Sequence, residues 1–305
     1  MRLSIIDLGT NTFNLLVAER DADGRLKVIH TEERAVFLGR GGIERSELTP
    51  EAMERAMTVL HAFTDKSLEL GATRIQGFGT SAMRNAQNAG EFTIRVQREL
   101  GIEVTIISGE EEADLILDGV RQAVPFTAKP MLVMDIGGGS IEFILATDKA
   151  LMWKRSFEIG ATRLSERFSP SDPLLLEEYF RICAYLDAQL EPLFAVMDRH
   201  WPTALIGSAG SFDTLAERVA LERGQRLTAD QITVTFSNAD FDAVKERLIG
   251  STRVERAAMK AIPEYRVDTL PLALIAIERV LAHGIEEVRW SRYALKEGAA
   301  WRVVR

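Results

Sequence analysis

The chain has 305 residues, 46% of them hydrophobic and 27% charged, with 9 prolines and 22 glycines, a composition that excludes a disordered, collagenous or coiled-coil protein. Its 37 basic against 45 acidic residues give a net charge of −8, which argues against specific or general nucleic-acid binding and allows at most a local basic channel. The single cysteine, Cys183, permits no internal disulfide, Asp7 falls too early for a signal-peptide core and no apolar run reaches the roughly 18 residues of a membrane span, so the expected protein is cytoplasmic with no membrane partner.

At roughly 100 to 200 residues per domain, the length predicts two domains. In chain order, an apolar run from Leu3 to Ile6, a glycine-containing turn and a second apolar run read as a hairpin of two strands. A β-rich stretch over 27–37 follows. A helix starts near Pro50, with Met53, Ala56, Met57, Leu60 and Phe63 at helical spacing. A strand over 74–78 precedes helical segments around Ala82 and over 90–100, and a strand over 103–107 leads directly into a helix over 109–122. Residues 123–130, with Pro125 and Pro130, form the linker. The second half repeats the order, with strands at 131–135, 140–147 and 150–158, long helices over 173–197 and a strand at 204–207 running into a helix near 212–218. Helices at 238–248, 252–261 and 268–283, a strand at 287–290 and a terminal helix close the chain. Strands alternating with helices in this order predict α/β domains with mixed sheets.

The two halves carry a visible repeat. Asp7-Leu8-Gly9-Thr10-Asn11-Thr12-Phe13-Asn14-Leu15-Leu16-Val17-Ala18 aligns without a gap to Asp135-Ile136-Gly137-Gly138-Gly139-Ser140-Ile141-Glu142-Phe143-Ile144-Leu145-Ala146, at an offset of 128 residues. Two copies of one hairpin imply two related domains.

The chemistry concentrates at these turns. Gly137, Gly138, Gly139 and Ser140 let the backbone approach a ligand and aim several N–H groups at one point, which suits a phosphate oxygen; a plain hairpin turn is the competing reading. Asp135 ends one strand and Glu142 lies on the next, a pair of hard oxygen ligands suited to Mg²⁺ or Mn²⁺. Asp7 is the first-half equivalent of Asp135 and is expected to support the site through a water or as a structural turn residue. Gly207, Ser208, Ala209 and Gly210 lie between a strand and a helix N-terminus, a second candidate phosphate contact or a simple capping turn. Thr80, Ser81 and Arg84 follow another strand and invite the same argument. In Ser108-Gly109-Glu110-Glu111-Glu112, the Ser108/Glu111 spacing predicts a capping box and Glu110 faces solvent. Glu112 continues toward the apolar stripe and is a candidate general base, with an ordinary structural carboxylate as the alternative. No zinc spacing, Ser-His-Asp arrangement or P-loop is readable. Arg289, Arg292, Lys296, Arg302 and Arg305 form a basic terminal stretch that reads as a polyanion path or a solvated tail.

The ordered set formed by these turns, together with Gly160-Ala161-Thr162-Arg163-Leu164 and Leu295-Lys296-Glu297-Gly298, resembles the exopolyphosphatase and guanosine pentaphosphate phosphohydrolase family of the actin-like ATPase superfamily. The resemblance runs over essentially the whole chain. It implies two ribonuclease-H-like domains flanking a central cleft, residues 1–124 and 125–305, with the last helix able to pack back on the first domain. It also implies release of terminal phosphate from polyphosphate by metal-assisted attack of water, with guanosine pentaphosphate as the alternative substrate and a non-catalytic nucleotide sensor as a second alternative. By resemblance Glu112 is the base, Asp135 and Glu142 carry Mg²⁺ or Mn²⁺, and Asn11, Thr12, Thr80, Ser81, Arg84, Gly137 to Ser140 and Gly207 to Gly210 contact phosphates. A homodimer is compatible with it. Asn14 stands where many relatives have a basic side chain, Ile141 where Thr is usual, and Ala209 where paired glycines are usual, which predicts a weaker phosphate grip. Longer members carry a C-terminal helical extension beyond the point where this sequence ends, so distributive action on shorter polymers is expected.

Overall fold

The apolar runs become the strands of two sheets in the computed structural model, which describes residues 2–304. In the first unit, β1 (Arg2–Leu8), β2 (Thr12–Arg20) and β3 (Leu26–Ala35) pair antiparallel in sequence, with Asp7 opposite Asn14 and Asn14 opposite Glu33. The next strands, β4 (Arg74–Gly79) and β5 (Glu103–Ile106), add parallel on the other side of β1, giving the order β3-β2-β1-β4-β5. Between β3 and β4 runs α1 (Pro50–Glu69). Thr49 caps its start by accepting the Ala52 N–H, and Pro50 at the first position sacrifices an N–H that has no helical partner anyway. The face of α1 carrying Ala52, Ala56, Met57, Leu60 and Phe63 is buried against Phe13, Leu15 and Val17 of the sheet. Two helices, α2 (Ser81–Asn85) and α3 (Ala89–Leu100), separate β4 from β5, and α4 (Gly109–Ala123) follows β5.

The second unit repeats the plan. Its first three strands, β6 (Met131–Ile136), β7 (Ile141–Ala146) and β8 (Leu151–Phe157), pair antiparallel, and Asp135 faces Glu142 across the ladder as Asp7 faces Asn14. Two helices come next, α5 (Ala161–Phe168) and α6 (Leu176–His200). β9 (Ala204–Ser208) pairs parallel with β6 and leads into α7 (Ala209–Glu222). An edge strand, β10 (Thr233–Ser237), then precedes α8 (Asn238–Ile249), α9 (Arg253–Ala258) and α10 (Leu270–Leu281). Finally β11 (Glu287–Ser291) pairs parallel with β9 and antiparallel with β10, closing the order β10-β11-β9-β6-β7-β8. The repeat of twelve residues therefore extends to a repeat of whole sheets, and both have the ribonuclease-H-like order.

Of the strands and α-helices among the described residues, β10 and α5 escape the sequence reading. Thr233–Ser237 is short and carries only one fully buried side chain, Phe236, so its strand state comes from pairing with β11. α5 has two buried apolar residues, Ala161 and Leu164, and eight residues in all, too few for a periodic signal. The second core is built from Leu132, Met134 and Phe143 of the sheet with Leu186, Leu190 and Ile277 of the helices, and Phe143 meets Phe157 edge to face at 5.7 Å between centroids. Cys183 lies in this core, where burial pushes its thiol up and leaves it an apolar filler.

The first unit runs to Gly119 and resumes at Ala294, and the second is Val120–Tyr293. The terminal helix α11 (Leu295–Val304) belongs to the first unit. It crosses α4 backbone to backbone: a Cβ on Gly298 would fall 1.8 Å from the Leu115 carbonyl oxygen, and one on Gly119 2.0 Å from that of Ala294. Only glycine fits either position. The basic terminal stretch is spent on local ties. Arg289 pairs with Glu287, Arg292 donates to the carbonyls of Thr228 and Ala229, Lys296 pairs with Glu297 and Arg302 with Asp118. Arg305 lies outside the described residues. No helix among the described residues is long and apolar enough to cross a membrane.

Candidate active site

In the first unit the candidate residues gather at the turn from β1 to β2 and the residues that brace it. Asn11 accepts the N–H groups of Val36 and Phe37 at 2.8 Å each, and Thr10 accepts that of Gly39 at 3.1 Å. In a trans peptide the carbonyl and the following N–H point in opposite directions. Tying back these two carbonyls therefore turns the N–H groups of Asn11 and Thr12 the other way. Asp7 precedes this turn, opposite Asn14.

Thr80 joins this turn to α2, since its N–H and hydroxyl both reach the Leu8 carbonyl, at 3.4 and 3.5 Å. Ser81 is buried beside it, and its carbonyl accepts from the side chain of Asn85. Arg84 stands one turn along. Its guanidinium donates to Glu112 Oε2 at 2.8 Å and to the Ile107 carbonyl at 3.2 Å. The sequence reading treats Arg84 and Glu112 separately, as a phosphate contact and a base. The fold makes them one ion pair, with side chains 17% and 10% exposed. A buried pair is costly to break by removing one partner, because a desolvated charge is left behind, and a guanidinium donor fixes the carboxylate's orientation.

The three consecutive glutamates of α4 separate as their spacing predicts. Glu111 Oε2 accepts both the N–H and the hydroxyl of Ser108 at 2.8 Å, and the Glu111 N–H donates back to the Ser108 hydroxyl at 3.2 Å, closing the capping box. Glu110 and Glu111 are exposed, whereas Glu112 is buried.

In the second unit the candidate residues gather at the glycine turn from β6 to β7. α5 holds it from behind. Ala161 N–H donates to the Gly137 carbonyl at 3.0 Å, Thr162 N–H to that of Gly138 at 2.9 Å and Gly160 N–H to that of Gly139 at 3.1 Å, where the Arg163 Nε adds a bond of 2.9 Å. Three successive carbonyls face α5, so the N–H groups of Gly138, Gly139 and Ser140 face away from it, an anion cradle made of backbone. Gly160 makes the approach possible: a Cβ there would lie 2.5 Å from the backbone of Gly138 and Gly139.

Beside the cradle stand two carboxylates directly opposite each other, Asp135 at 7% exposure and Glu142 at 1%. Ser208 donates its hydroxyl to Asp135 Oδ2 at 2.6 Å, and Ser156 donates to Glu142 Oε1 at 2.7 Å. Each hydroxyl orients one carboxylate oxygen. The donor set is all oxygen and anionic, which fits a hard divalent cation. Among the described residues no group of three or more His, Cys, Asp or Glu side chains is placed to hold a metal.

Where β9 passes directly into α7 stand Ser208, the last strand residue, and Ala209 and Gly210, the first of the helix. Gly207 lies inside the strand, against the ring of Phe212. Ala209, at the position where glycine is expected from the resemblance, has φ +65°, a left-handed conformation that costs a residue with a Cβ about 1–2 kcal/mol. Glycine there relieves that cost but loses more chain entropy on folding. Ala209→Gly should accordingly raise the unfolding free energy by about 0.5–1 kcal/mol in urea denaturation; a lower midpoint would show that the methyl group packs usefully. A Cβ on Gly210 would fall 1.9 Å from Arg266 Nη2, so a side chain there requires that guanidinium to move. Arg266, which the sequence reading misses, lays its guanidinium against the amino end of α7 and donates to the Thr214 hydroxyl at 3.1 Å. Ser156 is equally absent from the sequence reading, and Gly160 enters it only within a motif of the resemblance, because strand register and helix docking decide what they touch.

Two sheets of ribonuclease-H-like order, each with its turn after the first strand, define this as a protein of the actin-like ATPase fold. Known proteins narrow the class further. The profile of the Ppx/GppA phosphatase family matches residues 16–304. Exopolyphosphatase 2 of Mycobacterium tuberculosis is 31% identical, over 98% of this chain and 97% of its own length. The crystal structure of an exopolyphosphatase from Cytophaga hutchinsonii superimposes with a TM-score of 0.96 at 38% identity, covering 100% of this chain and 98% of that one. That of the Ppx/GppA family member from Aquifex aeolicus gives 0.82 at 24% identity, over 100% and 97% of the two chains. The chain belongs to the Ppx/GppA phosphatase family.

Proposed function

We propose that this protein is an exopolyphosphatase-like hydrolase that releases the terminal phosphate of polyphosphate. The observation that carries the reading is the three-amide cradle of Gly138, Gly139 and Ser140 set beside the buried Asp135–Glu142 pair. Its near full-length likeness to named exopolyphosphatases supports it.

In this reading Glu112 takes the proton of the attacking water, whose oxygen bonds to the terminal phosphorus as the bridging P–O bond breaks. The bond's electron pair leaves with the shortened chain. Arg84 holds Glu112 in place and supports the phosphate side. The amides of Gly138 to Ser140, with those of Asn11 and Thr12 and of Gly207 to Gly210 at the junction of β9 and α7, stabilise charge on the phosphoryl oxygens. Thr80 and Ser81 contact phosphate beside Arg84, and Asp7 supports the first turn. Asp135 and Glu142 would hold Mg²⁺ or Mn²⁺, which supplies Lewis-acid neutralisation of phosphate charge when bound. Guanosine pentaphosphate, with the same terminal phosphoanhydride, is the second candidate substrate, and the cytoplasm is the proposed location.

The test is phosphate release from polyphosphates of several lengths, guanosine pentaphosphate and ATP, each with Mg²⁺ and with chelator. Release from polyphosphate alone or in preference supports the reading; preference for guanosine pentaphosphate selects the second substrate, and no release from either sinks both. Because the described basic side chains of the terminal stretch are spent on local ties, few contacts remain for a long polyanion, and fewer contacts mean earlier release. Gels should show a ladder of intermediates. Only full-length polymer and free phosphate would contradict this.

A further inference from the structure

Lys154 carries a charge that the reading above leaves unused. β8 is the edge strand of its sheet, and its register with β7 sets Ser156 opposite Glu142 and Lys154 opposite Ile144. Side chains along a strand alternate with a period of two, so Lys154 and Ser156 share the face of Glu142 and, through the β6–β7 ladder, of Asp135. The Ser156 hydroxyl, bonded to Glu142, confirms that direction. The neighbouring Arg155 points to the other face, over the Phe157 ring. Diagonal cross-strand neighbours have Cβ atoms roughly 7–8 Å apart, within reach of a long side chain. Lys154 is half-buried, and its stem is long enough to run along Ile144 and present the ammonium to Glu142.

The acid pair has need of such a charge. Like charges directly opposite each other on a sheet repel, and Asp135 and Glu142 do so almost wholly out of water, where an uncompensated charge is costly. We propose that Lys154 is the built-in countercation of the Asp135–Glu142 pair, which a divalent cation must displace, so that Lys154 sets how tightly the metal is held. This rests on the assignment of Asp135 and Glu142 as the metal-holding residues.

The experiment is a Mn²⁺ titration of the full chain without substrate, followed by electron paramagnetic resonance. Lys154→Met keeps the stem and removes the charge, and should bind Mn²⁺ about tenfold more tightly than the parent. Lys154→Arg keeps the charge and should stay within about twofold of the parent. Lys154→Gln repeats the neutral test with a polar side chain, should the methionine variant fold poorly. Equal or weaker binding by the neutral variants overturns the proposal, as does tightening by Lys154→Arg to the level of Lys154→Met, which would place the effect in packing. Asp135→Asn and Glu142→Gln separate the two levels. If they bind Mn²⁺ as the parent does, the metal-site reading itself fails; if they lose it while the neutral Lys154 variants do not tighten, only the countercation fails.

Discussion

Glu112→Gln should lower turnover by roughly 10² to 10⁴ while leaving substrate binding in place. Glutamine keeps the size of the side chain and one oxygen to accept the Arg84 hydrogen bond, but it cannot take the proton of an attacking water. The neighbours supply the control. Glu111 is committed to the Ser108 capping box, so Glu111→Gln should cost no more than roughly 1 kcal/mol of stability and little activity. Glu110 is exposed, and Glu110→Gln should be silent. The measurement is kcat and KM for a short polyphosphate across the three variants, with equilibrium binding of the substrate to Glu112→Gln. A Glu112→Gln enzyme working near the parent rate, or an inactive Glu110 or Glu111 variant, would falsify the assignment of the base. Arg84→Ala should not imitate Glu112→Gln, because it strands a buried carboxylate and should lower stability as well as turnover.

Asp135→Asn or Glu142→Gln should abolish most turnover without unfolding the protein, and excess EDTA should do the same to the parent. Both carboxylates sit in a well-packed ladder, opposite each other, and neutralising one removes a like-charge repulsion, so thermal stability without metal should hold or rise. The hydroxyls behind them should matter less: Ser156→Ala or Ser208→Ala removes an orienting bond, an effect typically worth 10- to 100-fold in metal affinity or activity. Full turnover in excess EDTA, or an Asp135→Asn enzyme at parent rate, would remove the metal from the mechanism and leave the backbone amides as the whole phosphate grip.

What could be read along the chain depends on short spacings. The Ser108/Glu111 box is an i, i+3 relation. The α1 face repeats every three to four residues, and the hairpin repeat is carried by twelve contiguous residues whose aspartates occupy the same ladder position in both sheets. Each is decided by local backbone geometry, so each is legible in the order of residues alone. The same holds for the glycine turn as a place where a chain can bend sharply and offer its amides.

Which way those amides point was settled elsewhere. The carbonyls of Gly137, Gly138 and Gly139 are claimed by the start of α5, more than twenty residues on, and that docking orients the cradle. Arg84 meets Glu112 across 28 residues, and Ser208 meets Asp135 across 73. β10 becomes a strand only because β11 lies beside it, and α11 joins the first unit because two glycines let helices touch. The amino-acid sequence by itself determined the fold class, the repeated turns and the separation of Glu112 from its two neighbours, through capping and periodicity acting within a few residues. Tertiary structure alone decided the Arg84–Glu112 pair, the serines behind the carboxylates and the face shared by Lys154, because strand register and helix docking are set by burial summed over the whole core, and no window of sequence contains that sum.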